Sequence, residues 1–162
     1  MADSETTVEE KETQDMGSKK QAQTNDPNSW MYAGLKEAVS EEMAQKDVLS
    51  WMNHKQFSIR KRKQNADWIN ILVAAVVDGD LEVHDGRTLV LNLREQGKSL
   101  KYSERLVTQT YKQNCDSWGV DATSGIDRVN SITATMTGIS YAEACALEEE
   151  DRELISAISF FF

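Results

Sequence analysis

The sequence predicts a mainly α-helical domain of five to six helices with one β-hairpin, preceded by a disordered N-terminal tail. Apolar residues recur every three or four positions through most of the chain, which is typical of amphipathic helices. An Asp-Gly pair between two β-prone runs predicts a hairpin at about residues 81–91. Residues 1–25 are acidic and polar and contain too few large apolar side chains to fold, so we expect a single domain over residues 26–162.

The composition agrees with one globular domain. Of 162 residues, 40% are hydrophobic, and the single Pro and eight Gly exclude fibrous or low-complexity classes. The longest apolar run, 68–77, is shorter than the roughly 18 residues needed to cross a bilayer. The start of the sequence does not resemble a secretory signal, and Cys115 and Cys145 lie far apart. We therefore expect an intracellular protein, cytoplasmic or nuclear, with free thiols and no membrane span.

The first helix is expected to begin at Asp26-Pro27, because Asp is a good N-cap and Pro fits the first helical position. Its apolar stripe, at a spacing of four, consists of Met31, Leu35, Val39 and Met43. A short helical piece near residues 47–52 continues the first helix after a bend.

Residues 54–64, which include no acidic side chain, are expected to form a loop.

The apolar run at 68–77 predicts a central helix over 66–77, capped by Asn65 and ended near Gly79. The hairpin should follow, with strands at 81–84 and 87–91 joined at Asp85-Gly86. Because an isolated hairpin is only marginally stable, it must pack against the helices or pair with another strand.

Three further helices complete the domain. The first should begin at Ser103, and its stripe runs through Val107, Tyr111, Cys115 and Trp118 to Gly119. The second should begin at Ser124, which with Asp127 resembles a capping box, and should end at Gly138. Ser140 and Glu143 form a clearer capping box, and one continuous helix is expected from there to about residue 158.

The sequence predicts no catalytic residue, metal site or cofactor. Gly97-Lys98-Ser99 matches the end of a phosphate-binding loop, but Asn92 stands where that motif requires its first glycine, so we expect a plain polar turn between the hairpin and the next helix. The two histidines, His54 and His84, are thirty positions apart and lie in no metal-binding motif. We therefore expect a non-enzymatic protein, although a small enzyme whose site is assembled from distant residues is an alternative.

The most distinctive feature is a basic run in the predicted 54–64 loop. Several phosphates could be bound by its cations while aromatic rings stack on bases, which predicts binding of RNA or DNA. The candidate residues are Lys55, Arg60, Lys61, Arg62, Lys63, Phe57 and Trp68. A solvated loop or a contact with a protein partner would give the same pattern.

An acidic run near the C-terminus complements this basic run. Patches of opposite charge on different faces allow copies to dock head to tail, so a homo-oligomer is the favoured interpretation, with a nucleocapsid-like assembly its most specific form. The candidate residues are Glu148, Glu149, Glu150, Asp151 and Glu153, together with Phe160, Phe161 and Phe162. The three phenylalanines either fold back onto the core or insert into a neighbouring copy. A monomeric adaptor that binds a partner through its acidic tail or C-terminal helix is the alternative.

Overall fold

The computed structural model describes Lys36–Phe162 with the exception of Glu95, together with Pro27, Met31, Ala33 and Gly34. Lys36–Phe162 forms one compact unit. The predicted tail over 1–25 lies outside the described residues, and so does most of 26–35, where the predicted first helix begins. In the described part of the chain, no helix is both long enough and apolar enough to span a bilayer.

The described residues form seven helices and a three-stranded antiparallel sheet, which confirms a mainly α fold with a hairpin. The helices are α1 (Glu41–His54), α2 (Ile59–Gln64), α3 (Ala66–Asp78), α4 (Thr108–Trp118), α5 (Gly125–Thr137), α6 (Tyr141–Cys145) and α7 (Glu149–Phe160). The strands are β1 (Leu81–His84), β2 (Thr88–Leu93) and β3 (Lys98–Lys101).

Helix α1 begins later than the sequence pattern predicts. Residues 36–40 are not helical, because Ser40 is extended and its hydroxyl accepts the backbone N–H of Met43 at 3.3 Å. The buried face is Ala44, Val48, Trp51 and Met52, whereas Met43 is 48% exposed. The predicted stripe is therefore wrong at Met43, whereas Val39 packs against the core from outside the helix and Leu35 is not among the described residues. The predicted piece at 47–52 is the second half of α1.

The predicted 54–64 loop is also wrong in part, because residues 59–64 form α2. The hydroxyl of Ser58 caps this helix by accepting the N–H of Lys61. Asn65 alone separates α2 from α3, and its side chain donates to the carbonyl of Lys61 instead of capping α3. The central helix itself is confirmed, and it ends at Gly79 in the left-handed conformation (φ 82°).

The predicted hairpin is confirmed, and it acquires the partner strand that its stability requires. Asp85 and Gly86 both have positive φ, 54° and 64°, as the tight turn demands. Strand β3 then pairs with β2 and aligns Leu100 with Leu91, both of which are buried. Residues 98–101 are therefore a strand and not the polar turn that Gly97-Lys98-Ser99 indicates.

In the C-terminal half, helix ends at glycine are predicted well and helix starts less so. Helix α4 begins at Thr108 and not at the predicted Ser103. Ser103 caps no helix, and its backbone N–H donates to the carbonyl oxygen of Met136. Ser124 occupies the N-cap position of α5 without a side-chain hydrogen bond, so the predicted capping box with Asp127 does not form.

The predicted capping box of Ser140 and Glu143 is confirmed. The expected continuous last helix is two helices, α6 and α7, with Glu148 at the N-cap of α7.

One hydrophobic core joins α1, α3, α5 and α7 with the inner face of the sheet. Its largest fully buried side chains include Trp51, Leu72, Leu91, Tyr102, Ile132, Ile155 and Ile158. Because α3 lies between α1 and α7, one side of it contacts each neighbour and its remaining side is left on the surface.

Candidate functional site

All three C-terminal phenylalanines contact aromatic rings of their own chain, and Phe161 is the most buried of them. Phe161 is 5% exposed, stacks on Phe57 at 5.3 Å between ring centroids, and meets Trp51 edge-on at 5.8 Å. Phe162 is half-buried and stacks on Tyr102 at 6.5 Å. Phe57, a candidate for base stacking, is thus an element of an aromatic cluster within the fold.

Two of the candidate phosphate-binding lysines lie over this cluster. The Nζ of Lys61 is 4.1 Å from the centroid of Phe57, and the Nζ of Lys55 is 4.6 Å from that of Phe162. Burial lowers the pKa of Lys61, and burial is also the largest cause of the lowered pKa of Lys55. Both ammonium groups therefore face rings of their own chain, which weakens their assignment to phosphate binding.

Arg62 is used inside the fold as well. Its Nε donates to the carbonyl oxygen of Phe57 at 2.9 Å, and its Nη2 donates to Oδ1 of Asn53 at 2.9 Å. These bonds fix the turn between α1 and α2. A guanidinium whose Nε and Nη2 are held on two acceptors is a structural clamp with fewer donors left for a phosphate.

Arg60 and Lys63 are the members of the basic run that remain on the surface. Both are exposed, and neither takes part in a hydrogen bond or ion pair within the described part of the chain. Ile59 precedes them and is 74% exposed. We call Ile59, Arg60 and Lys63 the basic patch. Trp68 lies at the same end of α3 and stacks on Phe160, with the ring centroids 5.9 Å apart.

Carboxylates gather at the opposite end of α3, around two depressions on either side of that helix. A groove of about 750 Å³ lies between α1 and α3, and a cleft of about 420 Å³ lies between α3 and α7. Five exposed carboxylates line these depressions: Glu37, Glu41, Asp78, Glu150 and Glu153. We call this set the acidic end. No sequence signal indicated the groove, because it depends on how α1 packs against α3.

The predicted acidic run of α7 is only partly exposed to solvent. Glu148, Glu149, Glu150 and Glu153 are exposed, whereas Asp151 is 7% exposed and faces the cleft. In this cleft Arg94 forms an ion pair with Asp80, and its Nη2 lies 3.9 Å from Oδ2 of Asp78. The cleft thus contains its own counter-charge.

Helices α3 and α7 run antiparallel, since Trp68 meets Phe160 at one end and Asp78 shares the cleft with Glu150 at the other. The ten residues from Trp68 to Asp78 correspond to about 15 Å along the helix. This exceeds the screening length of about 8 Å at physiological salt. Among the ion pairs of the described residues none involves Arg60 or Lys63, so the basic patch and the acidic end do not neutralise each other within one chain.

No family model matches this sequence. Searches of the curated proteins and of the solved structures return no significant match either. The functional assignment therefore rests on the geometry of the chain itself.

The polar groups typical of catalytic centres are dispersed. The Nε2 of His54 lies 3.5 Å from Glu104, and the Nε2 of His84 lies 2.7 Å from Glu82, in both cases at the surface. Cys115 is buried and Cys145 is exposed, and neither forms a disulfide. Within the described ranges, no group of three or more His, Cys, Asp or Glu side chains is arranged to hold a metal ion.

Asp151 provides a test of the electrostatics of the cleft. Burial, followed by the charge of Asp80, raises its pKa above the ordinary value of 3.8. A raised pKa means that the folded protein binds this proton more tightly than the unfolded chain does. The protonated carboxyl group of Asp151 therefore contributes stability at low pH, and this contribution is lost as the pH rises through the pKa of the folded state.

Asp151→Asn should accordingly increase the free energy of unfolding at pH 7. The advantage over the wild-type protein should shrink as the pH falls below about 4, where the carboxyl group is protonated in both states. Urea unfolding at neutral and acidic pH measures the difference. A variant that is less stable than the wild type at pH 7 would show that the carboxylate is stabilised in the cleft.

Proposed function

We propose that this protein is a self-associating assembly protein, in which the basic patch of one copy docks against the acidic end of the next. The proposal rests on one observation above all: exposed Arg60 and Lys63 lie at one end of α3, five exposed carboxylates line the depressions toward its other end, and no ion pair of the described residues joins the two sets. Contact between two different surfaces produces a ring or a filament instead of a closed two-fold dimer.

The charge of the whole chain makes such a contact selective. A net charge of −9 means that two copies repel each other in most orientations. The orientation that brings Arg60 and Lys63 against carboxylates replaces local repulsion by attraction. Head-to-tail contact is therefore favoured over random clustering.

Charge reversal at either end should abolish this association. One variant carries Arg60→Glu with Lys63→Glu, and a second carries Glu37→Lys with Glu150→Lys. Each should weaken self-association at least tenfold, about 1.4 kcal/mol, as measured by sedimentation velocity over a concentration series. A mixture of the two variants should associate again, because the unaltered basic patch of one meets the unaltered acidic end of the other.

A matched control separates this effect from a change in net charge. Lys101→Glu with Lys112→Glu also replaces two exposed cations by anions, but away from α2, and it should associate as the wild type does. A monomer mass for the wild type at every concentration would overturn the proposal. Equal weakening by the control pair would overturn it as well.

Nucleic acid is the second candidate partner, favoured by the position of Arg60 and Lys63 at the same end of α3 as the stacked rings of Trp68 and Phe160. Since the other three cations contact their own chain, few phosphates can be neutralised. A plot of the logarithm of the binding constant against the logarithm of the salt concentration should then have a slope of only about −2.

Nuclease treatment distinguishes the two candidate partners. Self-association that persists after treatment supports protein-protein docking, whereas self-association that requires RNA or DNA overturns it.

A further inference from the structure

Ile59 is placed as an apolar anchor within the basic patch. It is the most exposed of the large hydrophobic residues in the described part of the chain, at 74%. Lys63 follows it by four positions on α2 and so lies on the same side of the helix, with Arg60 beside it. An exposed apolar side chain flanked by cations suits a pocket with an apolar floor and an acidic rim.

The groove between α1 and α3 has these properties. Its walls include Leu49, which is 45% exposed, and the half-buried Ile69 and Val73. The charged side chains in its described lining, Glu37, Glu41 and Asp78, are all acidic. Asp78 also borders the cleft and lies 3.9 Å from Arg94, whereas Glu37 and Glu41 form no ion pair with another described residue. At about 750 Å³ it has ample room for one side chain with its flanking helix turn.

The cleft between α3 and α7 is a poorer receptor for the same patch. Arg94 occupies it and pairs with Asp80, so an incoming cation would compete with a counter-charge already in place. The cleft is also smaller, at about 420 Å³. Charge complementarity therefore favours the groove over the cleft.

We infer that the groove between α1 and α3 receives Ile59 of a second copy, with Arg60 and Lys63 of that copy paired to Glu37 and Glu41. This inference rests on the proposed head-to-tail association and identifies the surface that accepts the basic patch. An exposed apolar residue that fits a pocket elsewhere on the same molecule makes a contact that repeats from copy to copy.

Removal of the anchor tests the inference without disturbing the fold, since Ile59 is mostly solvated in the monomer. Ile59→Ser should weaken self-association about tenfold to a hundredfold, the equivalent of one buried aliphatic side chain. Ile126→Ser is the matched control, because Ile126 is 63% exposed and also lies in the first turn of a helix. It should leave association unchanged, and equal weakening by both variants overturns the role of Ile59.

The receptor surface is tested separately. Leu49→Asp places a charge in the groove and should weaken association to a similar extent, while Val107→Asp, at a site that is also exposed, should not. A photo-crosslinking residue at position 59, in a mixture of isotopically labelled and unlabelled chains, should form bonds to Leu49 or Val73 of another copy. Association that survives Leu49→Asp, or crosslinks that map to the cleft, would overturn the groove assignment and leave the head-to-tail proposal standing. Absence of any self-association would overturn both.

Discussion

Replacing Phe161 by Ala should lower the free energy of unfolding by about 3–5 kcal/mol, the usual cost of removing a buried phenylalanine. Phe161 is 5% exposed and connects the end of α7 to Trp51 and Phe57. Its loss leaves a cavity in the aromatic cluster and removes one ring that Lys61 faces, at 5.7 Å from the centroid. Urea unfolding followed by tryptophan fluorescence measures the effect, since Trp51 reports on the same cluster.

Phe160→Ala is the matched comparison, because Phe160 has the same side chain one position earlier and is 44% exposed. It should cost about 1 kcal/mol, the contribution of one stacked aromatic pair at the surface. Losses of similar size for the two variants would contradict the placement of Phe161 in the core and of Phe160 on the surface.

Arg152→Ala should cost about 2–3 kcal/mol, because it removes two charge-assisted hydrogen bonds and leaves the buried amide oxygen of Asn130 without its donor. The Nη1 of Arg152 donates to Oδ1 of Asn130 at 2.6 Å, and the Nη2 donates to the carbonyl oxygen of Cys145 at 2.6 Å. Asn130 is only 4% exposed. One guanidinium thus connects α5, α6 and α7 where the predicted last helix is interrupted.

Thermal and urea unfolding of two further variants separate the stability contributed by these hydrogen bonds from the effect of losing a positive charge. Arg152→Lys should recover only part of the stability, because an ammonium group lacks the planar fork that reaches both acceptors. Arg105→Ala, at an exposed arginine, should change stability by no more than about 0.5 kcal/mol. Full recovery by lysine would show that the fork geometry is unimportant.

Local signals in the sequence account for much of the fold. The apolar run before Gly79 predicts α3, Asp85-Gly86 predicts the hairpin turn, and Ser140 with Glu143 predicts the start of α6. Each of these features depends on residues that are close in the chain: the left-handed glycine, the two positive φ angles and the reciprocal capping bonds. Chain topology has little influence on them.

Features that depend on distant residues escaped prediction. Strand β3 contains one buried residue, Leu100, and becomes a strand because β2 supplies its hydrogen-bonding partners. Helix α2 lacks any apolar periodicity and contains no buried residue. The N-cap residue Ser58 is the one local signal for its start, and by itself this signal is weak. Charge patterning located the basic run but could not show that Arg62 clamps a turn or that Lys61 faces two rings.

The outer strand β3 has features that oppose edge-to-edge pairing of sheets. It is four residues long, and its exposed Lys98 and Lys101 flank the single inward Leu100. Short, lysine-bearing border strands resist the addition of a foreign strand, the step by which cross-β fibrils grow. Strand β3 therefore protects its own edge of the sheet against amyloid-like stacking.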